Sequence, residues 1–240
     1  MKDKDEHLIK RIAAEMAEMT DNIAHELLTP VTSVRSYLET LIEQEDLSLE
    51  KKQDFLQRAY RQILRLTEII QDTLLLSKAK NAPQQFHIED VNIYDLLCEW
   101  IETEVNEIIK ENGITVNVLV DKETTVRGNR TLIHSIFRNL GDNTAKYAGK
   151  NITISIHKYK EDKDFHYFSF ADNGVGIEDQ FLDRIFDRFY RINEGRTRDT
   201  GGSGLGLPIV KDAVAFHHGE IHVRNRAGGG LEFLFTLRKY

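Results

Sequence analysis

A glycine-rich stretch near the C-terminus has the composition of a phosphate-binding loop. Residues 201–208 read Gly-Gly-Ser-Gly-Leu-Gly-Leu-Pro and lead directly into a segment with a helical pattern. Backbone N–H groups clustered ahead of a helix attract anions because they lie at the positive end of the helix dipole. Two familiar nucleotide loops are excluded, since the chain has no Gly-Lys-Ser/Thr tripeptide and a GxGxxG motif that began at Gly204 would meet Ile209 at its last position. The stretch therefore predicts a phosphate site of a different kind.

Amide and lysine side chains recur on a predicted helix earlier in the chain. Asn139 and Asn143 stand one helical turn apart, so their amides project in the same direction, and Lys146 and Tyr147 occupy the following turn. Amide oxygens can complete the all-oxygen shell of Mg²⁺, and a lysine can bind phosphate. The alternative is an ordinary solvent-facing helix surface, which carries the same residue types.

A third candidate follows a predicted strand. Asp172 opens the sequence Asp-Asn-Gly-Val-Gly, in which Gly174 and Gly176 would let a ligand approach the backbone. A carboxylate there can accept a hydrogen bond from an exocyclic amine such as adenine N6, although Asp-Asn-Gly is also a common turn sequence. Aromatic residues within 186–190 and a polar stretch up to Thr200 then have the composition of a lid beside a nucleotide site.

The N-terminal part of the chain offers a nucleophile of another type. Ile23 and Leu27 belong to an apolar stripe with helical spacing, and His25 stands about 200° around the helix from each, which directs its imidazole toward solvent. Glu26 is adjacent, and Thr29 lies one turn further along. These three residues can serve as nucleophile, base and water-positioning group. A solitary surface histidine is the alternative.

The distribution of glycine separates the elements that must position these groups. All 15 glycines fall at residue 113 or later, so the front of the chain favours long helices and the back favours strands and turns. After a linker around Pro83, the mixture of strands and helices predicts an α/β sandwich, a mixed sheet covered by helices on one face. The predicted strands are Ile114–Val120, Ile152–Ile156, Phe165–Phe170, Ile221–Val223 and Leu231–Leu237, and the predicted helices are Arg130–Tyr147 and Leu207–His217.

Two apolar stripes in the front of the chain predict a helical hairpin. A break at residues 43–48 separates them, and Pro30 is expected to kink the first helix. One stripe per helix covers a single hairpin thinly, so we expect two copies to form a four-helix bundle. The stripe expected on the second helix consists of Phe55, Ala59, Ile63, Leu66, Ile70 and Leu74.

Charge and composition exclude several classes of protein. The chain has 240 residues, 32 basic and 39 acidic side chains and a net charge of −7, which argues against non-specific nucleic-acid binding. Its longest stretch without Asp, Glu, Lys or Arg, residues 200–210, is too short and too glycine-rich to cross a bilayer. A single cysteine excludes a disulfide framework and a CxxC metal site.

Taken together, these motifs resemble the sequence boxes of sensor histidine kinases from two-component systems. His25–Pro30 resembles the H box, Asn139–Tyr147 the N box, Asp172–Gly176 the G1 box, Phe186–Tyr190 the F box and Gly202–Leu207 the G2 box, in the family's order. The resemblance implies a dimeric helical hairpin followed by an ATP-binding α/β sandwich of the gyrase, chaperone and histidine kinase type. It implies an incoming signalling helix over residues 1–18, a dimerisation and phosphotransfer domain over 19–82, a linker over 83–90 and a catalytic domain over 91–240.

The resemblance also implies a role for each matching residue. His25 would accept a phosphoryl group from ATP, Glu26 would bond to the other ring nitrogen and assist proton removal, and Thr29 would position a hydrolytic water. Asn143 would bind Mg²⁺, and Lys146 would contact phosphate. The remaining nucleotide site would consist of Asn139 near the metal, Tyr147 and Asp172 at the adenine, Gly174 and Gly176 at the backbone approach, and Arg191, Gly202, Ser203, Gly204, Leu205, Gly206 and Leu207 around the phosphates.

Partners and location follow from the same resemblance. His25 would pass its phosphoryl group to an aspartate of a response regulator, and the chain would be cytoplasmic, with an upstream sensor or inner-membrane module possible. The kinase is also expected to act as a response-regulator phosphatase. The alternatives are a phosphatase-dominant sensor, a non-catalytic dimeric scaffold and an ATP-hydrolysing machine of the topoisomerase or chaperone type. Asn139 argues against the last, because those ATPases carry a water-activating glutamate there. Leu28, where the family often has Lys or Arg, and Gly141 depart from the family pattern.

Overall fold

The structure, a computed structural model, describes residues 2–44, 46–105, 113–192 and 202–240, with the backbone alone for residues 2–19, 104 and 105. The chain divides into two compact units, residues 1–73 and residues 74–240. This division lies inside the second helix, ahead of the linker expected at residues 83–90. Within the described ranges, no helix combines the length and the apolar character that crossing a membrane requires.

Two long helices build the front of the chain. α1 spans Lys2–Glu43 and α2 spans Leu49–Asn81, so the break expected at residues 43–48 is confirmed. α1 continues through Pro30, which is buried and lacks the N–H that would bond to the Glu26 carbonyl. The hydroxyl of Thr29 donates to the His25 carbonyl at 3.0 Å, one turn earlier. A side-chain hydrogen bond therefore lies beside the backbone bond that the proline removes.

The packing of α2 differs from the stripe expected on it. Ala59 and Ile69 are buried, whereas Ile63, Ile70 and Leu74 keep 46%, 44% and 63% of their surface exposed. Only part of the expected stripe is therefore buried within a single chain. α2 carries apolar residues on two neighbouring faces, and spacing alone does not decide which face packs against α1.

In the described part of the chain, residues 74–240 contain two sheets and four complete α-helices, with a short 3-10 helix at Pro83–Gln85 and a π-helix at Ile101–Val105. The strands are β1 Glu89–Asn92, β2 Thr115–Leu119, β3 Thr125–Gly128, β4 Thr153–Glu161, β5 Phe165–Asp172, β6 Ile221–Asn225 and β7 Leu231–Arg238. After the C-terminal turns of α2, the helices are α3 Ile93–Trp100, α4 Arg130–Tyr147, α5 Asp179–Leu182 and α6 Gly206–Phe216. The main sheet has the order β2–β4–β5–β7–β6, in which β2 is parallel to β4 and the other pairs are antiparallel. The mixed sheet of the expected α/β sandwich is thus confirmed.

The core of this unit lies between the main sheet and the helices. Phe235 of β7 stacks on Phe168 of β5 with 5.5 Å between ring centroids, and Phe137 of α4 meets Phe235 edge-on at 6.0 Å. Trp100 is buried at the end of α3, where its ring occupies the space that a Cβ at position 141 would fill. Gly141, unusual for the family, therefore permits α3 to pack closely on α4.

A small antiparallel sheet of β1 and β3 was absent from the expected elements. Each strand has four residues, and β1 begins with Glu89 and Asp90, whose side chains have low strand propensity. The two strands lead into helices through asparagine caps, in which Asn92 accepts the Asp95 N–H and Asn129 accepts the Leu132 N–H, each at 3.0 Å. The small sheet thereby fixes where α3 and α4 begin.

His217 joins the C-terminal end of α6 to the N-terminal end of α4. Its ring is buried, with Nδ1 lying 2.7 Å from the Ala213 carbonyl oxygen and Nε2 accepting the Asn129 N–H at 3.1 Å. In this arrangement Nδ1 carries the proton and Nε2 does not. Burial lowers the pKa of His217, which favours that neutral ring.

We expect the stability of this unit to fall on mild acidification because of His217. The folded protein disfavours protonation of the ring, whereas the unfolded chain titrates near the ordinary pKa of 6.5. The stabilisation that the neutral His217 ring gives is therefore fully present above about pH 6.5. As the pH drops below about 6.5, it decreases by up to about 1.4 kcal/mol per pH unit. Denaturant unfolding between about pH 7.5 and 5.5 measures this slope, which His217→Gln should flatten. His218→Asn is the matched control, and an undiminished slope in His217→Gln would contradict the assignment.

Candidate functional site

The amide-bearing helix α4 forms one wall of the candidate nucleotide site. Asn139 is 8% exposed, and its Nδ2 donates to the Ser135 carbonyl at 2.8 Å. Its Oδ1 faces Gly206 at the start of α6, where an added Cβ would lie 2.8 Å from that oxygen. Gly206 therefore allows close approach of the two helices. The structure brings Asn139 and the glycine-rich loop together.

The last turn of α4 is open to a ligand. Asn143 is partly exposed, and Lys146 and Tyr147 are exposed. Among the described residues, none of these three side chains has a hydrogen-bond or ion-pair partner. A Cβ at Gly202 would overlap the Tyr147 hydroxyl, so the glycine-rich loop passes beside this ring. An amide oxygen and an ammonium group are thus available to an oxygen-rich ligand next to the loop.

Asp172 ends β5 as a buried carboxylate, 4% exposed. Its Oδ1 accepts the backbone N–H of Gly174 at 2.8 Å and that of Leu231 at 3.3 Å. Its Oδ2 has no hydrogen-bond partner within the described part of the chain. The carboxylate is therefore anchored through Oδ1, and Oδ2 remains available to accept a hydrogen bond from an exocyclic amine.

The backbone after Asp172 follows a path that glycine makes possible. Gly176 has a φ of +67°, and a Cβ at Gly174 would lie 2.5 Å from the Cβ of Ala148, directly after α4. Between them, the Val175 N–H donates to the Ala148 carbonyl at 3.2 Å. The G1 segment is thereby attached to the end of the helix that carries Asn143.

Two residues that the sequence analysis missed hold the G1 segment from the opposite side. Asn225 accepts the Ile177 N–H at 3.1 Å and donates to the Ile177 carbonyl at 2.7 Å. Arg226 donates through Nη1 to the Asp172 carbonyl at 2.8 Å. The available signal was the turn-forming run Asn-Arg-Ala-Gly-Gly-Gly at residues 225–230. That run predicts a turn and gives no indication of its distant partner.

The described part of the glycine-rich loop, residues 202–206, leads directly into α6. Pro208 lies in the first turn of this helix, as expected. Gly204 has a φ of +70°, and its carbonyl accepts the Phe189 N–H at 2.9 Å. Ser203 accepts the Leu205 N–H through Oγ at 3.3 Å. The loop is thus fixed in shape and joined to the F box segment.

The F box segment is attached to α6 by a second contact. Arg188 Nη2 lies 2.8 Å from Asp212 Oδ2, and Phe186 packs edge-on against Phe233 of the sheet. Arg191 is half-buried and engaged with another group. The expected lid segment is residues 192–200, and all of it except Ile192 lies outside the described residues.

The histidine of the hairpin is exposed, as expected from its position opposite the apolar stripe. Its imidazole has no hydrogen-bond partner among the described side chains. Glu26, one residue further on, faces α2 instead, and its Oε2 lies 3.3 Å from Nη2 of Arg65. Glu26 is therefore paired with Arg65 in this structure and is not bonded to His25.

Both parts of the chain match known domain families. Residues 128–240 match the family of histidine kinase-, DNA gyrase B- and HSP90-like ATPases, and residues 15–82 match the His kinase A phospho-acceptor domain. The sensor histidine kinase WalK of Bacillus subtilis is 33% identical over 231 residues, a match that covers 95% of this chain and 37% of WalK. The chain thus spans little more than a third of the length of this curated relative.

Solved histidine kinase structures share the fold. AdeS of Acinetobacter baumannii superposes with a TM-score of 0.70 at 20% identity, covering 90% of this chain and 98% of AdeS. ShkA in complex with AMPPNP superposes with a TM-score of 0.66 at 25% identity, covering 92% of this chain and 45% of ShkA. ThkA in complex with the response regulator TrrA superposes with a TM-score of 0.67 at 21% identity, covering 100% of this chain and 66% of the ThkA chain.

A phospho-acceptor domain followed by a histidine kinase-like ATPase domain is the arrangement that the five boxes of the sequence require. The exposed His25 lies in the first matched region, and Asp172, Asn143 and the glycine-rich loop lie in the second. The chain belongs to the sensor histidine kinases of two-component systems.

Proposed function

We propose that this chain is an ATP-dependent protein-histidine kinase that phosphorylates His25 and passes the phosphoryl group to an aspartate of a response regulator. The observation that supports this best is Asp172, a buried carboxylate anchored through one oxygen with the other presented to a ligand. We assign phosphotransfer to residues 19–82, a linker to 83–90 and ATP binding to 91–240, with residues 1–18 as the incoming signalling helix.

The ATP site in this proposal lies between α4, the G1 segment and the glycine-rich loop. Asp172 binds adenine N6, and Tyr147 flanks the ring. The phosphates lie along the loop from Gly202 to the N-terminus of α6, with Lys146 and Arg191 as their cations. The AMPPNP complex of ShkA supports a nucleotide there. Asn139 disfavours a water-activating ATPase, since its amide is bonded within its own helix and cannot act as a base.

Asn143 is the residue that would hold Mg²⁺. Its amide oxygen suits a hard cation, and the side chain has no partner among the described residues. No cluster of three His, Cys, Asp or Glu side chains in the described ranges could hold a metal by itself. Phosphate oxygens would therefore complete the shell, and the bound ion would offset the negative charge on the phosphates during transfer.

The reaction at His25 is a phosphoryl transfer. A ring nitrogen forms a bond to the γ-phosphorus while the bond from that phosphorus to its bridging oxygen breaks and the electron pair leaves with ADP. The imidazole must lose its ring proton, and Glu26 is the neighbouring carboxylate. Because phosphoryl transfer needs little acid–base chemistry, positioning of the reactants and neutralisation of charge account for most of the rate acceleration.

A second copy of the chain and a response regulator are the proposed partners. α2 presents the apolar side chains of Leu56, Tyr60, Ile63 and Ile70 with between 44% and 63% of their surface exposed, and a second hairpin would cover them. The complex of ThkA with TrrA supports a response regulator as the acceptor. We further propose that the chain is the cytoplasmic part of a longer sensor, which the length of WalK supports.

Autophosphorylation is tested by incubating the protein with Mg²⁺ and ATP labelled in the γ-phosphate. Phosphohistidine is identified because it is labile to acid and stable to base. A receiver domain added afterwards should take the label from the protein. A scaffold without catalytic activity would acquire no label, and an ATP-hydrolysing machine would release phosphate without labelling itself.

Phosphatase activity toward the response regulator is the second candidate function, which Thr29 favours. The hydroxyl donates to the His25 carbonyl, so its lone pairs remain to accept from a water beside His25. We expect Thr29→Ala to keep the autophosphorylation rate within about twofold and to slow dephosphorylation of the partner by about tenfold or more. Thr32→Ala, one turn away, is the control. Equal loss of both activities in Thr29→Ala would contradict a separate role.

A further inference from the structure

The hairpin contains a mostly buried ion pair for which the reaction described above has no role. Arg65 of α2 and Glu26 of α1 keep only 18% and 19% of their side chains exposed, and Arg65 Nη2 lies 3.3 Å from Glu26 Oε2. Two other hairpin pairs are far more exposed: Arg35 with Glu39 at 70% and 58%, and Arg58 with Asp54 at 51% and 47%. The contact joins residues 39 positions apart, so it fixes the two helices at the level of His25.

The pair uses only part of the hydrogen-bonding capacity of each group. Arg65 Nε is buried and has no hydrogen-bond partner among the described residues. Glu26 Oε1 likewise has none within the described ranges, since the ion pair engages Oε2. A guanidinium and a carboxylate can form two parallel hydrogen bonds, and here they form one. The carboxylate is therefore tethered by one oxygen and retains the other for a second donor.

We propose that Arg65 is a positioning residue for phosphorylation of His25, an inference that rests on the histidine kinase activity proposed above. Arg65 binds Glu26 Oε2 and so retains the carboxylate, charged, one residue from the imidazole. In this structure Glu26 Oε1 is not bonded to His25, so the imidazole must turn toward it; Oε1 then accepts the ring proton as the bond to phosphorus forms at the opposite nitrogen. Without Arg65, the Glu26 carboxylate would lose the cation that holds it and would turn out to solvent, so His25 would lose its base.

The Glu26 side chain is mostly buried against α2, so the cation that pairs with its carboxylate must come from α2. Successive helix residues point about 100° apart, so Glu26 faces α2 while His25 faces solvent. Leu28 lies two positions beyond Glu26, about 200° around α1, and is exposed, so a cation at that position would lie beside His25 and away from the carboxylate. Arg65 is thus the cation that the fold places against Glu26.

The test measures autophosphorylation of the full chain as a function of ATP concentration. Arg65→Met should lower kcat about tenfold or more and leave the KM for ATP unchanged, because Arg65 lies outside the ATP-binding unit. Arg65→Lys should retain kcat within about threefold, since it keeps the charge. The control is Arg61→Met, which removes an exposed arginine one turn earlier on α2. Thermal unfolding verifies that each variant is folded.

A double-mutant cycle with Glu26→Gln separates positioning from a structural effect. In the Glu26→Gln background, Arg65→Met should change kcat by less than about twofold, because the partner is already neutral. An equal loss in both backgrounds, or a kcat in Arg65→Met like that of the wild type, would overturn the role of Arg65 while leaving the kinase assignment intact. A wild-type protein that acquires no label on His25 would overturn both.

Discussion

Replacing His25 by glutamine is expected to abolish the acid-labile label that the protein acquires from ATP. An amide nitrogen is not nucleophilic at neutral pH, so incorporation should fall by at least about 10³-fold, as when an enzyme loses its nucleophile. The fold should be unaffected, because His25 is exposed and its ring has no hydrogen-bond partner among the described side chains. Scintillation counting after gel separation, with acid and base washes, measures the effect.

A second exposed histidine provides the control for this substitution. His222 lies on β6 with 76% of its side chain exposed, and His222→Gln should label like the wild type. ATP affinity should be equal in all three proteins, since His25 and Asp172 belong to different compact units. Full labelling of His25→Gln would remove this residue as the phosphoacceptor.

Asp172→Asn is expected to weaken ATP binding by about 1.5–3 kcal/mol, the scale of a hydrogen bond to a charged group. This corresponds to a rise in Kd of roughly 10- to 150-fold. The amide oxygen of asparagine can still accept the N–H groups of Gly174 and Leu231, so the local fold should persist. The other carboxylate oxygen is replaced by an NH₂ group, which meets the amine of adenine donor to donor.

Calorimetric titration with ATP and with GTP tests this assignment. An NH₂ group can donate to the O6 atom of guanine, so the preference for ATP over GTP should narrow in Asp172→Asn. Asp183→Asn, which changes an exposed carboxylate after α5, should bind both nucleotides like the wild type. An ATP affinity in Asp172→Asn equal to that of the wild type would remove Asp172 from the adenine pocket.

Local sequence patterns predicted the helices, strands and loops whose formation depends mainly on residues within the element itself. α4 spans Arg130–Tyr147, the range expected from its apolar periodicity, and an asparagine cap begins it. The glycine-rich loop and the start of α6 follow from backbone requirements at Gly204 and Pro208. β5 and β7 each extend the predicted strand by one or two residues. In all these cases the physical cause lies within a few positions of the residue concerned.

Contacts between distant residues could not be predicted in the same way. The β1–β3 pair joins two short polar segments, and Asn225 and Arg226 hold the G1 segment from a turn about 50 positions away in the chain. The pairing of Glu26 with Arg65 depends on which face of α2 turns toward α1. Periodicity identifies apolar faces and leaves their partners open, so these interactions follow from tertiary packing alone.

The contact between Trp100 and Gly141 has an evolutionary consequence. Because the indole ring fills the space of a Cβ at position 141, a larger residue there is acceptable only after Trp100 has become smaller. Conversely, a smaller residue at position 100 leaves a cavity that a side chain at 141 could occupy. The two positions are therefore epistatic. A relative with a bulkier side chain at position 141 is expected to carry a side chain smaller than tryptophan at position 100.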